Sequence, residues 1–461
     1  MRTKRLTKVD QAQALKAMVD QRYKESKPKE KLTVAKASGV SLTSDMWTSI
    51  NTEAYLAVTC HFIDSNTALR SVVLGVQHFP QAHTAINLSQ VTAALMSEWG
   101  ITDKVTGSVT DGAAYMGACA KELCLRHSNC VAHTLNLMVK KALDQHTALS
   151  EIRTTCRRIV GYFKSSTTAK ERLTEVQEQM GRPALKLIQE VDTRWNSTFQ
   201  MLQRVHELRE PIGALLAGLH TDICPLSSEQ YELMAESLKI LFPFNDATTE
   251  LSEEKRVSGS KVIPLLTMLH HALNEEEMGV VLTPESSTMV ECLRRQLNEK
   301  LYTLQSMSIM SLATLLDPKL KKIGFFSPNK AMDAEKRLIF ECAAILRHLA
   351  PSAAASSAAA SSSEASQPTK TPNATADATA EVQKYLHEPS IGRLENPLEY
   401  WAGHRLVYPN LYKLAVGFLA TPASSVPCER VFSKAGEILS KKRNRLKPST
   451  VEKLLFLNKN K

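Results

Sequence analysis

The 461-residue sequence predicts a mixed α/β layer that a long all-α block interrupts before a helical C-terminus. Three observations predict it. Strand-period runs begin at about residue 40, and no convincing strand run occurs between Val131 and Ala350. Helical spacing then returns beyond an Ala/Ser/Thr-rich stretch, Pro351 to Ala380.

Residues 1–39 are polar and read as a broken helix. From residue 40 the character changes, because Leu56, Val58, Cys60 and Phe62 alternate with Tyr55, Ala57, Thr59 and His61, which is strand period. Leu69 to Phe79 gives another strand by the same test. A helix follows from about Thr84 to Trp99, with Leu88, Val91, Leu95 and Trp99 on one face and Gly100 as its stop. KVTGSVTDG supplies a short fourth strand ending at Asp111, and SLTSDMWTS places Asp45 in or beside the first. The order β-β-β-α-β describes a mixed α/β layer over residues 40–145.

The block 146–350 reads as helical. Just before it, Val131, Leu135, Met138 and Ala142 already form a helical stripe, widened by Val139 and Leu143. Ser227-x-x-Gln230 has the form of a capping box ahead of Tyr231, Met234, Leu238 and Leu241. Thr283-Pro284 opens a helix carrying Met289, Leu293, Leu297 and Leu301. Residues 351–380 cannot bury apolar surface and read as a disordered linker.

In the last part, 381–461, Pro427 suits a first helical turn, so Glu429 lies where the helix dipole favours a carboxylate. Val431, Phe432, Ile438 and Leu439 form one apolar stripe. Pro448 opens a second helix with Val451, Leu454 and Leu455. Such short helices must pack on the rest of the chain, on a second copy, or on both; the stripes are therefore candidate dimerisation residues.

Composition narrows the classes. Nine cysteines, an odd number running from Cys60 to Cys428, show no disulfide framework and point to a reducing compartment. No stretch approaches the length that spans a bilayer, and the basic N-terminus lacks the apolar segment of a secretory signal. The formal charge of +10 is compatible with a polyanionic partner.

Six strings carry a family likeness: SLTSDMWTSINTEAYLAVTCHFID, SVTDGAAYMG, CVAHTLNLMV, DTRWNSTFQML, LATLLDPKLKK and PASSVPCERVFSKAGEILSKKRNRLKPSTVEKLLFL. In this order they resemble the hAT superfamily of DNA transposases, closest to its domesticated vertebrate relatives with a BED zinc finger. The resemblance implies a ribonuclease H-like core interrupted by an α-helical insertion, with a C-terminal dimerisation region. It also implies that Asp45, Asp111 and Glu429 bind two divalent metals, magnesium or manganese, for in-line attack on a phosphodiester. Without it, Asp45 and Asp111 read as turn residues at strand ends and Glu429 as a helix-terminal charge.

Further residues have two readings each. Trp195 matches a family tryptophan that stacks on a flipped base, or is an ordinary core aromatic. Arg194 reaches a phosphate, or pairs with Asp192. Lys441, Lys442, Arg443 and Arg445 touch DNA phosphates, or form a solvated loop. Cys130 and His133 match the family's CxxH motif beside the active site. The fuller series Cys124, His127, Cys130, His133 has a spacing that would not converge on a tetrahedron, so no zinc site is expected. The BED finger of the relatives is expected to be missing, since no cysteine precedes Asp45. These readings predict a domesticated, non-catalytic, dimeric nuclear protein with a DNA-associated regulatory role. The alternative is an active metal-dependent transposase core.

Overall fold

The structure is a computed structural model and describes residues 8–218, 223–279, 282–356, 373–438 and 446–460; for residues 8–12, 275–279 and 349–356 it describes the backbone. The chain forms two compact units. The first comprises Met1–Ala132, Leu251–Pro264 and Thr303–Lys461, and the second His133–Glu250 and Leu265–Tyr302. The expected insertion 146–350 is thus not one piece: the second unit starts earlier, is left once for Leu251–Pro264, and ends at Tyr302. Helical periodicity shows that a segment buries a face, not which body it buries it against.

The first unit is built on five strands, β1 (Val40–Thr48), β2 (Ala54–Ile63), β3 (Leu69–His78), β4 (Val105–Thr110) and β5 (His127–Asn129), in spatial order β3-β2-β1-β4-β5. The first three pair antiparallel, β4 lies parallel to β1, and β5 parallel to β4. Sequence periodicity misses β5, because three residues are too few to show a period.

Both faces of this sheet are covered. Leu56, Val58, Cys60 and Phe62 pack with Leu88, Leu95, Met96 and Trp99, which lie in or just beyond the helix Ala85–Glu98. Tyr55 and Ala57, on the opposite side of the pleat, join Val73 and Val76 under Cys428, Val431, Phe432, Ala435, Val451 and Leu455. That second cluster corrects one expectation. Val431, Phe432, Val451 and Leu455 are buried against the chain's own sheet and present no free surface to a second copy. Ile438 packs at the margin of the same cluster, Leu454 is half-buried, and Leu439 lies outside the described residues. The stripes were readable; their partner is the sheet between residues 55 and 76.

The helix Pro448–Lys459 also closes the outer edge of β3. The Asn460 side chain accepts from Val73 N–H and donates to Val73 C=O, both at 2.9 Å, and Glu452 accepts the His78 N–H at 2.9 Å. Backbone groups that would otherwise recruit another strand are thereby satisfied.

The N-terminal residues form one helix, Lys8–Ala35, running through Pro28 rather than breaking there. It is fastened on both sides of the proline. Asp20 pairs with Lys453 at 2.6 Å and the Tyr23 ring meets Phe456 edge-on, while Lys27 and Lys31 both hold Glu98. Contacts of this kind offset the hydrogen bond that proline removes. The expected linker is also shorter at both ends, since Pro328–Ser356 and Ala374–His387 are helices, the latter capped by Asn373 and burying Ala378; residues 357–372 lie outside the described residues.

Every secondary-structure element among the described residues of the second unit is a helix. Leu135, Met138, Val139 and Ala142 are buried, as are Met289, Leu293, Leu297 and Leu301. Ser227 and Gln230 exchange the two hydrogen bonds of a capping box, at 3.0 and 3.2 Å.

In the first unit, the segment Leu251–Pro264 is seated on the turn before the helix Val426–Ile438. The Gly259 N–H donates to Thr421 C=O at 3.2 Å, and a Cβ at Gly259 would stand 2.4 Å from that oxygen. Thr421 is itself held by Ser41, hydroxyl to hydroxyl, at 2.7 Å. Neither backbone can yield cheaply, so Gly259→Ala is expected to lower stability by ~1–3 kcal/mol, read as an earlier urea midpoint with unchanged m-value. An unchanged midpoint would mean that this seat is loose.

Candidate functional site

The parallel pairing of β1 with β4 aligns Ser44 with Thr110, so the residues that follow, Asp45 and Asp111, come side by side. Asp111 is just past the end of β4, but Asp45 lies inside β1, paired with Ala57, and is not the strand-end turn residue expected from sequence. The pleat decides where Asp45 points. Thr43, Asp45 and Trp47 share one face; the Thr43 hydroxyl lies 3.4 Å from Cys428 Sγ, and Trp47 stacks on Phe432 at 5.7 Å between ring centres. Asp45 therefore stands between two contacts to the helix Val426–Ile438, whose first turn carries Glu429.

All three carboxylates are half-buried. Burial, and then the charges of Asp111 and Glu429, push the Asp45 carboxyl up to about 7. The Met46 N–H, donated to Asp45 Oδ1 at 2.8 Å, opposes that shift without cancelling it. Asp111 accepts the Ala113 N–H at 3.4 Å, a turn that starts the helix Ala114–Glu122. The three acids thus feel one another. Among the described residues, however, no three His, Cys, Asp or Glu side chains close into a ready-made metal cage.

The surroundings fix this end of the sheet. Cys428 is fully buried between Thr43 and Thr59, and burial lifts its thiol to about 12, so it is a neutral wedge rather than a nucleophile. His61 sits behind Thr43, with Nε2 3.0 Å from its hydroxyl, and burial drives it down to about 4, leaving the ring neutral. Tyr115, within SVTDGAAYMG but not singled out from sequence, has its hydroxyl raised by burial and then by Asp111 and Asp45, which puts it in the field of the same acids. A tyrosine one helical turn beyond an aspartate is too common a pattern to stand out.

A second group anchors the glutamate. Although burial alone would raise it, hydrogen bonds from Lys459 and Arg430 bring Glu254 down to about 2. Both partners lie at 2.8 Å. Arg430 is the neighbour of Glu429, so the re-entrant segment and the last helix together hold the turn that carries the third acid.

The other expected residues are placed differently. Trp195 opens the helix Trp195–Glu207 but is only 1% exposed, edge-on to Phe199 at 6.2 Å, with its backbone N–H donating to Asn136 Oδ1 at 2.9 Å. Its ring is covered, so in this conformation it is a core residue and not a stacking platform. The preceding Arg194 is exposed, and Asp192 pairs with Arg157 at 3.2 Å. Lys441, Lys442, Arg443 and Arg445 lie outside the described residues. Cys130 is buried at the end of β5, its N–H on Thr110 C=O at 2.6 Å, whereas His133 opens the second unit. His127 meets Thr110 at 2.9 Å and Cys124 is exposed.

Comparison with known proteins gives a consistent pattern. The hAT family C-terminal dimerisation region matches residues 381–461, the ZBED1 RNase-like helical domain residues 128–238, and the ZBED1 RNase-like domain residues 43–137. The chain is 28% identical to human zinc finger BED domain-containing protein 4 over 93% of its own length and 38% of that protein's. It is 26% identical to the Arabidopsis thaliana zinc finger BED domain-containing protein DAYSLEEPER over 90% of the chain and 62% of the relative. With mouse zinc finger BED domain-containing protein 6 it shares 24% identity over 91% and 48%. The chain therefore spans between about two fifths and three fifths of these relatives.

Proposed function

Because the chain belongs to the hAT superfamily of transposase-derived proteins, with a ribonuclease H-like core and the family's C-terminal dimerisation region, we propose that it acts as a domesticated nuclear protein that self-associates, contacts DNA and regulates transcription or chromatin. The observation that carries this reading is the match of the dimerisation region over residues 381–461, in a chain whose relatives include BED-finger proteins over most of its length. The net charge of +10 supports a polyanionic partner.

One observation favours a second reading, strand cleavage. Three carboxylates lie within one electrostatic neighbourhood, where burial and then the charges of Asp111 and Glu429 raise the Asp45 carboxyl. The donor chemistry suits a hard divalent cation, but Asp45, Asp111 and Glu429 would have to close further on one another to hold it, since no three such side chains among the described residues form a cage. When bound, magnesium or manganese supplies Lewis-acid stabilisation of a phosphodiester displacement. The chain's own part is to keep the three oxygen donors on β1, just past the end of the neighbouring β4, and on the first turn of the helix Val426–Ile438.

One experiment separates the two. The purified chain is sedimented, then incubated with end-labelled duplex DNA and manganese, beside Glu429→Gln. A dimer that leaves the DNA intact supports the regulatory reading. Manganese-dependent nicking that Glu429→Gln abolishes would replace it with the enzymatic one.

A further inference from the structure

The apolar stripes of the last two helices are spent on the chain's own sheet, so self-association through residues 381–461 requires another surface in the same region. That region contains exposed large apolar side chains close to one short helix, Pro397–His404: Leu394 is 101% exposed, Leu406 87% and Val407 46%. Single exposed apolar residues are ordinary, and a group is not. The adjoining segment after the helix Ser308–Leu315 adds Ile323 at 83% and Phe326 at 41%.

These two segments are stitched into one rigid platform. Ile391 N–H donates to Pro318 C=O at 3.2 Å, and Lys319 Nζ donates to Arg393 C=O at 3.0 Å. Buried Lys321 donates to the carbonyls of Tyr385 and Glu388, each at 2.7 Å. Beneath them, Trp401 donates to Leu316 C=O at 2.8 Å and Tyr385 to Leu315 C=O at 3.1 Å. The LATLLDPKLKK string is thus the buckle that fixes the dimerisation region, which explains why it belongs to the first unit.

We infer that the exposed surface around helix 397–404, centred on Leu394 and Leu406, is where a second copy of this chain docks. The inference rests on the self-association proposed above. A second copy fits better than a nucleic acid because the surface mixes signs: Arg393 and Arg405 stand exposed beside Glu395 and Glu399. A two-fold interface sets a patch against itself, so apolar centres meet and each arginine finds a carboxylate on the other copy. The fixed backbone lowers the ordering cost of docking.

The test is sedimentation of the full chain, of Leu394→Asp/Leu406→Asp, of the neutral pair Leu394→Gln/Leu406→Gln, and of Ile86→Asp, a control at a 60% exposed residue on another helix of the same unit. The expected result is a wild-type dimer, a rise in dimer Kd on the order of 100-fold for the aspartate pair, a smaller rise for the glutamine pair, and no change for the control. All side chains replaced are exposed, so circular dichroism should superimpose. A wild-type monomer overturns the self-association reading itself, whereas a dimer that survives both pairs overturns this surface and leaves that reading standing.

Discussion

Replacing Asp45 with asparagine is expected to stabilise the folded protein at pH 8 in the absence of divalent metal, by ~2–4 kcal/mol. The folded carboxyl titrates at about 7 against an ordinary 3.8, because it is buried and faces Asp111 and Glu429. A raised acid pKa means that the native state binds a proton the unfolded state has released. Between about pH 4 and pH 7 stability therefore falls as pH rises, and above that window the full penalty persists. At 1.36 kcal/mol per pKa unit the penalty is about 4 kcal/mol. Asparagine removes the charge while its carbonyl oxygen can still accept the Met46 N–H. Thermal melts of both proteins from pH 4 to pH 8 check this: the wild type should lose stability across the window and the variant should not. A variant less stable at pH 8 would mean that the charge is not crowded.

The same pair of proteins tests whether the three acids take up a metal. Manganese relieves the repulsion among the three acids only if they can share it, so the wild type should gain more in Tm than Asp45→Asn at equal manganese. Equal gains would place the ion elsewhere.

What could be read without coordinates follows from the range over which each signal acts. Strand alternation in Leu56 to Phe62 and the caps at Ser227 and Thr283 are local, and they appear where periodicity and side-chain chemistry put them. Which body a helix packs on is non-local. Val431 and Val451 show a stripe in sequence but not that residues 55–76 cover it, and Trp195 shows an aromatic but not the depth at which it sits. The three acids were marked by family strings alone. Their shared field arises from the β1–β4 register and from Cys428 wedged on Thr43, neither of which leaves a pattern in the chain.

Glu254 carries the second large effect, with the opposite sign. Its folded pKa of about 2 lies below an ordinary 4.5, because the hydrogen-bonded Lys459 and Arg430 outweigh the burial that would raise it. A depressed acid contributes stability that is present above about pH 4.5 and is lost as pH falls towards 2. The shift corresponds to ~3 kcal/mol; Arg430 is partly solvated, which trims its share. Glu254→Gln should therefore lower stability at pH 7 by ~2–4 kcal/mol, since it also strands the Lys459 ammonium. The gap between variant and wild type should narrow as pH falls below about 4.5 and close only towards pH 2. The damage should be local first: Lys459 ends the last helix and Arg430 adjoins Glu429, so amide exchange in 448–459 and 426–432 should accelerate before the rest of the sheet responds. If exchange there is unchanged while stability falls, the three charges do not clamp the C-terminal helices.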